Sequence, residues 1–252
     1  MPHPIWSLKG CTAHLEIDAF TASLDLSRPQ RGLADLQWRS QTFAGQQILA
    51  VDLAPHESAD EENVADCYQR AGDLVAVYDQ TPQRPMRVQI YWRATELELS
   101  AHRVPAIDLQ VSVQTSLLDS RPELTTASTL ASHEVCRLVD SAAGAFAPLS
   151  PPEIGPATLT PQEGPGCLLF RNSNSDVSYA EMIAPCDFGR DELADCGHGK
   201  LRLRRRLFAG SLEKGVILRA RVRGVFLPRA QDERDVAEAY RALLDSPPPL
   251  TT

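Results

Sequence analysis

The sequence lacks the short motifs that identify the common classes of nucleotide-binding enzyme and hydrolase. It contains no G-x-G-x-x-G or Walker-type loop that would cradle a phosphate, and no G-x-S-x-G turn that would present a nucleophilic serine. It also has no apolar run near the roughly 18 residues that cross a bilayer, and its first ten residues do not resemble a signal peptide. We therefore expect a cytoplasmic protein that does not bind a membrane, with no conventional hydrolase chemistry.

Cysteine is present, but without the spacing that indicates a metal or redox centre. None of the six cysteines forms a C-x-x-C pair. The densest group is Cys186, Cys196 and His198, whose nine-residue gap matches no zinc pattern. In a chain of this length without an export signal, such cysteines are typical of reduced, mostly buried thiols. The sequence therefore predicts neither a metal nor a cofactor.

The charge of the chain is unevenly distributed. The 252 residues carry a formal charge of −8. Residues 200–223 contain nine Lys or Arg and a single acid, Glu213, so this segment carries +8 and the remainder carries −16. General nucleic-acid binding requires a broad positive field, which an acidic protein with one basic segment does not provide. We expect no nucleic-acid partner, and we expect acids elsewhere in the fold to neutralise the basic segment.

Alternation of apolar and polar residues dominates the chain and predicts β-structure. The clearest example is AIDLQVSVQTSLL (106–118), in which Ile107, Leu109 and Val111 share one face while Asp108 and Gln110 share the other. At least twelve such runs recur at turn intervals without the βαβ pattern of parallel sheets. The fold prediction is all-β, a large antiparallel sandwich formed by residues 1–252 as one domain.

Two segments depart from this rhythm. Residues 144–166 contain six prolines and no strand pattern, which predicts a long covering loop. Residues 231–246, QDERDVAEAYRALLDS, have an apolar stripe at helical spacing and acids in the first turn, where they complement the helix dipole. This pattern predicts one C-terminal α-helix, with Asp232 as its N-cap.

The basic segment lies within residues 199–228, GKLRLRRRLFAGSLEKGVILRARVRGVFLP. Two alternating runs flank a turn-like AGSLEKG, which predicts a β-hairpin with a long loop. If the arginine faces of its two strands coincide, six guanidinium groups line one side of the hairpin: Arg202, Arg204, Arg206, Arg219, Arg221 and Arg223. Like charges so close require acids, anions or water between them. The arginines therefore either line an open ligand cleft or belong to an internal ion-pair network with acids of residues 181–195.

Polar residues on other strands supply the candidate site. Glu181 is a candidate general base or an acidic partner of the arginines, and His102 and His133 are candidate acids because imidazole titrates near neutrality. Aromatic faces combined with charged hydrogen-bonding groups are typical of carbohydrate sites. On this basis the candidate ligand-binding residues are Tyr91, Arg93, Tyr179, Arg204, Arg219 and Arg221. The competing interpretation places the aromatics in the core and the charges in solvent.

The chain has a succession of long strands, among them the YWR (91–93) and SYAEM (178–182) strands and the late strand VILRARVRGVFLP. In this pattern it resembles the galactose mutarotase-like super-sandwich of aldose epimerases. The resemblance covers about residues 10–230 and implies a concave face that accommodates a carbohydrate, neutral or anionic. It also implies, for an active enzyme, an isomerase of the aldose 1-epimerase type. The histidine-containing, glycine-rich catalytic segment of that class has no counterpart here, so no catalytic residue carries over by motif. The alternative is a non-catalytic interaction or scaffold protein whose arginine strands form an internal ion-pair network.

Overall fold

The computed structural model describes residues 5–53, 61–70, 72–150, 156–208 and 210–246. Its first ten strands are β1 (Trp6–Lys9), β2 (Thr12–Ile17), β3 (Phe20–Asp25), β4 (Ala34–Trp38), β5 (Gln41–Thr42), β6 (Gln47–Asp52), β7 (Asp66–Arg70), β8 (Asp73–Tyr78), β9 (Arg87–Glu98) and β10 (Arg103–Gln114). The later strands are β11 (Leu124–Ala131), β12 (Glu134–Asp140), β13 (Ala145–Leu149), β14 (Ala157–Leu159), β15 (Cys167–Arg171), β16 (Val177–Ile183), β17 (Arg190–Asp195), β18 (Lys200–Leu207) and β19 (Ile217–Pro228). One helix, α1 (Asp232–Asp245), follows.

The strands form three sheets whose pairings are antiparallel. The large sheet has nine strands in the order β13-β12-β15-β16-β19-β10-β9-β8-β7. The first small sheet is the meander β1-β2-β3-β4-β5, and the second small sheet has the order β14-β17-β18-β11-β6. The predicted all-β antiparallel sandwich with one C-terminal helix is confirmed. None of the described residues forms a helix with the length and apolar character needed to span a bilayer.

Both small sheets pack against one face of the large sheet, which we call its inner face. Phe226 of β19 contacts Phe20 and Phe43, with ring centroids 4.9 and 5.1 Å apart, and so joins the first small sheet to the large one. Glu181 of β16 accepts a hydrogen bond from Ser128 of β11, which joins the second small sheet to the large one. One continuous cluster of buried apolar side chains runs through these interfaces. The opposite face of the large sheet, its outer face, receives α1.

The two arginine strands do not form the predicted hairpin, and this prediction was wrong. Strand β18 pairs with β11 and β17, whereas β19 pairs with β10 and β16 in the other sheet. The connection of residues 208–216 is long enough to cross the roughly 10 Å between packed sheets. Crossing lets the apolar faces of both strands meet the core from opposite sides. The arginines that alternate with them therefore point away from each other, on opposite surfaces of the sandwich.

The proline-rich segment and the helix N-terminus also differ from expectation. Residues 144–166 include β13 and β14, and both lie at sheet edges, where a proline such as Pro148 removes no ladder hydrogen bond. Helix α1 occupies almost the predicted range, but its N-cap is Gln231 rather than Asp232. Asp232 is instead a buried first-turn residue that accepts hydrogen bonds from Arg171 and Ser178. Its carboxylate therefore docks the helix onto the sheet.

Candidate functional site

Four of the candidate ligand-binding residues lie together on the outer face of the large sheet. Tyr91 and Arg93 are on β9, and Arg219 and Arg221 are on β19, with β10 between them. Cross-strand register aligns them in three rows, because side chains of paired residues in adjacent strands point to the same face. We call this surface the outer polar face. Its rows are Asp73–Arg93–Asp108–Arg223, Val75–Tyr91–Gln110–Arg221 and Val77–Gln89–Ser112–Arg219.

The first row is a ladder of alternating charges across four strands. Arg93 donates from Nε and Nη2 to the two carboxylate oxygens of Asp73, at 2.6 and 2.8 Å. Arg223 donates in the same way to Asp108, also at 2.6 and 2.8 Å. Such bidentate pairs fix both the position and the plane of each guanidinium. The ladder therefore forms a rigid border along one side of the face.

Two buried donors of this face have no hydrogen-bond partner. The side-chain nitrogen Nε2 of Gln110 is unpaired, although only 3% of the residue is exposed. The Nη1 atom of Arg223 is likewise unpaired in a residue that is 6% exposed. The two side chains are diagonal neighbours on adjacent strands, which is within reach for long side chains. A buried donor without a partner is costly, so these two nitrogens are atoms of the face that an acceptor oxygen would satisfy.

Tyr91 and Arg219 form the more open part of the face. Tyr91 is half-buried, and burial, followed by the neighbouring Tyr68, raises the pKa of its phenol. The hydroxyl therefore stays protonated near neutral pH and can both donate and accept a hydrogen bond. Arg219 is exposed and reduces this rise through its charge. An aromatic ring, a neutral hydroxyl and an accessible guanidinium thus lie beside the two buried donors.

Arg221 has a mainly structural position on the same face. Its Nη2 donates to the backbone oxygen of Leu243 at 2.6 Å, and its Nη1 donates to Ser246 Oγ at 2.9 Å. Its backbone N–H donates to Asp187 at 3.1 Å. Burial lowers the pKa of the guanidinium. The acceptors at the C-terminus of α1 stabilise its charged form and so oppose this effect. Arg221 therefore holds the end of the helix against the sheet.

A cleft of about 760 Å³ opens at the border of the outer polar face. Asp73 and Arg93 line it from the large sheet, Ile17 lines it from the end of β2, and Asp18 lines it from the turn that follows. Its wall is partly apolar and partly acidic, which suits a ligand with both hydroxyl groups and C–H faces. The cleft therefore connects the Asp73–Arg93 end of the ladder with solvent.

The inner face of the large sheet carries a second charged cluster, and Glu181 belongs to it. Arg205 of β18 donates from Nε to Glu181 at 2.9 Å and from Nη1 to Asp191 at 2.8 Å. Glu181 also accepts hydrogen bonds from Ser128 and from Tyr179, the latter at 3.0 Å. The Arg205, Glu181 and Asp191 side chains are each 1% exposed. We call this group the inner triad.

Burial shapes the protonation of the inner triad. It raises the pKa of Asp191 to about 7, with Glu181 adding to the rise and Arg205 opposing it. Burial also raises the pKa of Tyr179 well above its usual value. Tyr179 lies in the core, its ring 5.0 Å from that of Phe226. The structure thus places two candidate site residues, Tyr179 and Glu181, in an enclosed cluster on the face opposite Tyr91.

The structure does not bring the candidate acids to Glu181. His102 lies in the turn between β9 and β10, with Nε2 3.2 Å from a carboxylate oxygen of Asp235 in α1. His133 lies in the turn between β11 and β12, exposed, with Nδ1 3.4 Å from Ser173 Oγ. Arg204 lies on the outward face of the second small sheet. These residues occupy separate places in the fold.

Sequence reasoning did not select Arg205, Asp73, Asp108 or Gln110 as site residues, and it placed Arg223 only in the predicted hairpin. Strand alternation could have found most of them. Arg205 is in phase with Leu203 and Leu207 rather than with the outward arginines, so an alternation count assigns it to the core. Asp108 and Gln110 alternate with the apolar residues of β10, and Arg223 is in phase with Arg219 and Arg221 on β19, so the same count places them on the polar face. Among the described residues, no group of three or more His, Cys, Asp or Glu is arranged to hold a metal ion.

Comparison with solved structures identifies the architecture. A galactose mutarotase-like protein from Lactobacillus casei ATCC 334 superposes with a TM-score of 0.56 at 11% identity, over 86% of this chain and 100% of that one. The GalM/aldose epimerase homologue from C. elegans gives 0.52 at 11% identity, over 83% of this chain and 96% of that one. No protein-family model matches the sequence, and no curated protein does so either. The chain has the fold of galactose mutarotase-like proteins, as its strand pattern predicted.

Proposed function

We propose that the outer polar face binds a carbohydrate, neutral or anionic. The two superposed proteins are named as galactose mutarotase-like and as an aldose epimerase homologue, so a sugar is the ligand class that the shared architecture favours. The residues of the face have the chemistry that sugar binding needs. Tyr91 offers a ring for C–H contact, and Gln110, Ser112 and the arginines offer directional hydrogen bonds to hydroxyl oxygens.

The observation that carries the proposal is the pair of buried, unpaired donors, Gln110 Nε2 and Arg223 Nη1. Sugar hydroxyls have lone pairs that accept from such donors, and a bound hydroxyl would remove the cost of leaving them unpaired. Arg223 is already oriented by Asp108, so a ligand would not have to order it. The site is therefore prepared for oxygen acceptors.

The charge of the face supports an anionic sugar as well as a neutral one. Asp73 and Asp108 are each matched by an arginine of the ladder. Arg219 remains exposed next to Tyr91, at the open side of the rows. A carboxylate or phosphate on the sugar would meet this guanidinium without displacing an existing ion pair of the ladder.

The arrangement favours binding over anomeric isomerisation. Ring opening at an anomeric carbon requires an acid and a base on either side of it. On the outer polar face the carboxylates of Asp73 and Asp108 each accept two hydrogen bonds from an arginine, so their oxygens are already engaged. His102, His133 and Glu181 lie elsewhere. We therefore propose recognition of the sugar as the function, with isomerase activity as the hypothesis that the second experiment tests.

Sugar binding can be measured by saturation-transfer NMR and calorimetry with D-galactose, D-glucose, D-galacturonate and glucose 6-phosphate. We expect at least one to bind, and we expect Gln110→Leu and Arg219→Gln each to weaken binding about tenfold, the loss typical of one hydrogen bond to a charged or buried group. Arg103→Gln, an exposed strand arginine at the other end of β10, is the matched control and should have no effect. Absence of binding to all four sugars would contradict the proposal.

Isomerase activity can be followed separately by polarimetry or by NMR exchange at C1 of the same sugars. Anomerisation at the rate of buffer, with binding intact, supports a binding protein. A faster rate that survives Gln110→Leu would place catalysis elsewhere in the fold. The unfolding midpoint of each variant shows that lost binding is not lost folding.

The alternative of a structural role for the arginine strands rests on its own observations. Arg205 holds two buried carboxylates of different strands, and Arg221 holds the end of α1. These contacts join the second small sheet and the helix to the large sheet. Arg205 of β18 and Arg221 of β19 therefore support a scaffold role, while Arg219 and Arg223 support a ligand site.

A further inference from the structure

The outward face of the second small sheet carries a row of arginines that the ligand site does not use. Arg202, Arg204 and Arg206 alternate along β18, the central strand of this sheet, and point away from the core. We call them the arginine ridge. Arg202 and Arg206 are exposed and Arg204 is half-exposed. The ridge lies on the opposite side of the sandwich from the outer polar face, so the two surfaces can be tested independently.

The guanidinium groups of the ridge are largely unneutralised. Arg202 and Arg204 make no hydrogen bond or ion pair with any described residue. Arg206 reaches Glu123 at 3.8 Å, and both side chains are about half exposed, so this pair contributes little. The residue directly opposite Arg204 on β17 is Glu192, which is already paired with Arg190. This pattern contrasts with β19, where Arg221 and Arg223 have close acceptors.

Small side chains flank the ridge and leave room along it. On β11, Thr129 lies opposite Arg202, and Ala127 lies opposite Arg204. On β17, Ala194 lies opposite Arg202. Within the described residues α1 packs on the large sheet, so it does not cover this surface. An extended peptide that lies over β18 would therefore contact alanine and threonine, while its side chains reach the guanidinium groups.

We propose that the arginine ridge docks an extended acidic segment of a partner protein. Alternate residues of a strand are about 6.6 Å apart, so acids at every second position of an extended segment match the spacing of the ridge. The described residues of this face include no aromatic side chain on which a nucleic-acid base could stack. Charge complementarity and spacing thus favour an acidic peptide.

The experiment uses the full chain and two fluorescein-labelled 12-residue peptides of equal charge, measured by anisotropy. One peptide alternates Glu and Thr, and the other has six Glu followed by six Thr. We expect the alternating peptide to bind more tightly, with affinity that falls as salt rises. Arg202→Thr/Arg204→Thr should weaken binding at least about tenfold, since two charge-assisted contacts are lost.

A matched double variant, Arg87→Thr/Arg103→Thr, removes the same charge from exposed strand positions of the large sheet. It should leave binding within about twofold. Equal loss in both double variants, equal binding of the two peptides, or tighter binding of a single-stranded DNA 12-mer would each overturn the proposal. Arg202→Glu, a single exposed change, tests the same surface if the double variant folds poorly, and it should also abolish most of the binding.

Discussion

The inner triad and the outer ladder lie on opposite faces of the same large sheet, and both pair arginine with aspartate or glutamate at hydrogen-bond distance. They differ in what surrounds them. The inner triad has side chains that are 1% exposed, and Arg205 joins two sheets through Glu181 and Asp191. The outer ladder lies within one sheet and opens to solvent at one end: the Arg93 side chain, paired with Asp73, is 39% exposed, whereas the Arg223 side chain, paired with Asp108, is 7% exposed.

Ion pairs of similar geometry therefore have different consequences in the two places. Charges in the interior contribute a large penalty when one partner is removed, because the remaining charge has no water to solvate it. Charges near the surface contribute little to stability but remain available to a ligand. The inner triad is therefore expected to control folding, and the outer polar face to control binding.

Removal of Arg205 should produce the largest effect. Arg205→Met leaves the carboxylates of Glu181 and Asp191 buried without a cation, and we expect the free energy of unfolding to fall by about 3–5 kcal/mol. Urea titration followed by circular dichroism measures this change. Adding Glu181→Gln and Asp191→Leu to Arg205→Met should recover much of the loss, since the buried charges are then gone. A loss below about 1 kcal/mol would show that the interior tolerates the unpaired acids.

The pH dependence of stability should reveal Asp191 next. Its pKa is raised by burial to about 7, whereas the unfolded value is near 3.9, so the folded state binds more protons between these values. Its contribution to stability is therefore present at low pH and is lost as the pH rises towards 7. Asp191→Asn removes this contribution. Between pH 5 and 7, the free energy of unfolding of the variant should rise relative to that of the native protein by about 1 kcal/mol per pH unit.

Urea titrations at four pH values on both proteins measure this difference. The same titrations on Asp119→Asn, a change in an exposed turn, provide the control and should give parallel curves for variant and native protein. If Asp191→Asn also gives a parallel curve, Asp191 is ionised throughout, and Arg205 outweighs burial in setting its pKa.

Replacement of Arg93 should give the smallest change in stability. Arg93→Gln breaks a bidentate pair whose cation is partly solvated, and we expect the free energy of unfolding to fall by about 1 kcal/mol or less. The loss should shrink in 1 M salt, because a partly exposed pair is screened, whereas the effect of Arg205→Met should persist. Unfolding curves at low and high salt decide this. Equal salt sensitivity of the two variants would remove the distinction between the faces.

Much of the fold was predictable because strand alternation is a local property. The residues of β10 show this, since Asp108 and Gln110 were assigned to one face and Leu109 to the other, as the structure has them. The limits of α1 followed equally from its apolar stripe and acidic first turn. Part of the ligand face also followed from local pattern, because Tyr91 and Arg93 lie in phase on one strand and Arg219 and Arg221 on another.

The pairing of strands was not predictable in the same way. Strands β18 and β19 are neighbours in sequence, and a turn-like segment between them favours a hairpin. In the structure β18 pairs with β11 and β17, and β19 pairs with β10 and β16. Glu181, His102 and His133 were grouped by chemistry alone, and no local signal shows that they lie far apart. The partner of Arg205 depends on β16 and β17, which belong to two different sheets.

Local sequence pattern is sufficient to predict the all-β class, the position of the helix and which face of each strand carries charge, because these depend on neighbours one to four residues away. Three outcomes depend on the tertiary fold: Arg205 is buried with Glu181 and Asp191, Gln110 and Arg223 have unpaired donors on the outer polar face, and Arg202 is exposed on the ridge. These outcomes depend on which strands become adjacent across the core. That choice is made by packing between segments distant in sequence, and no local periodicity records it.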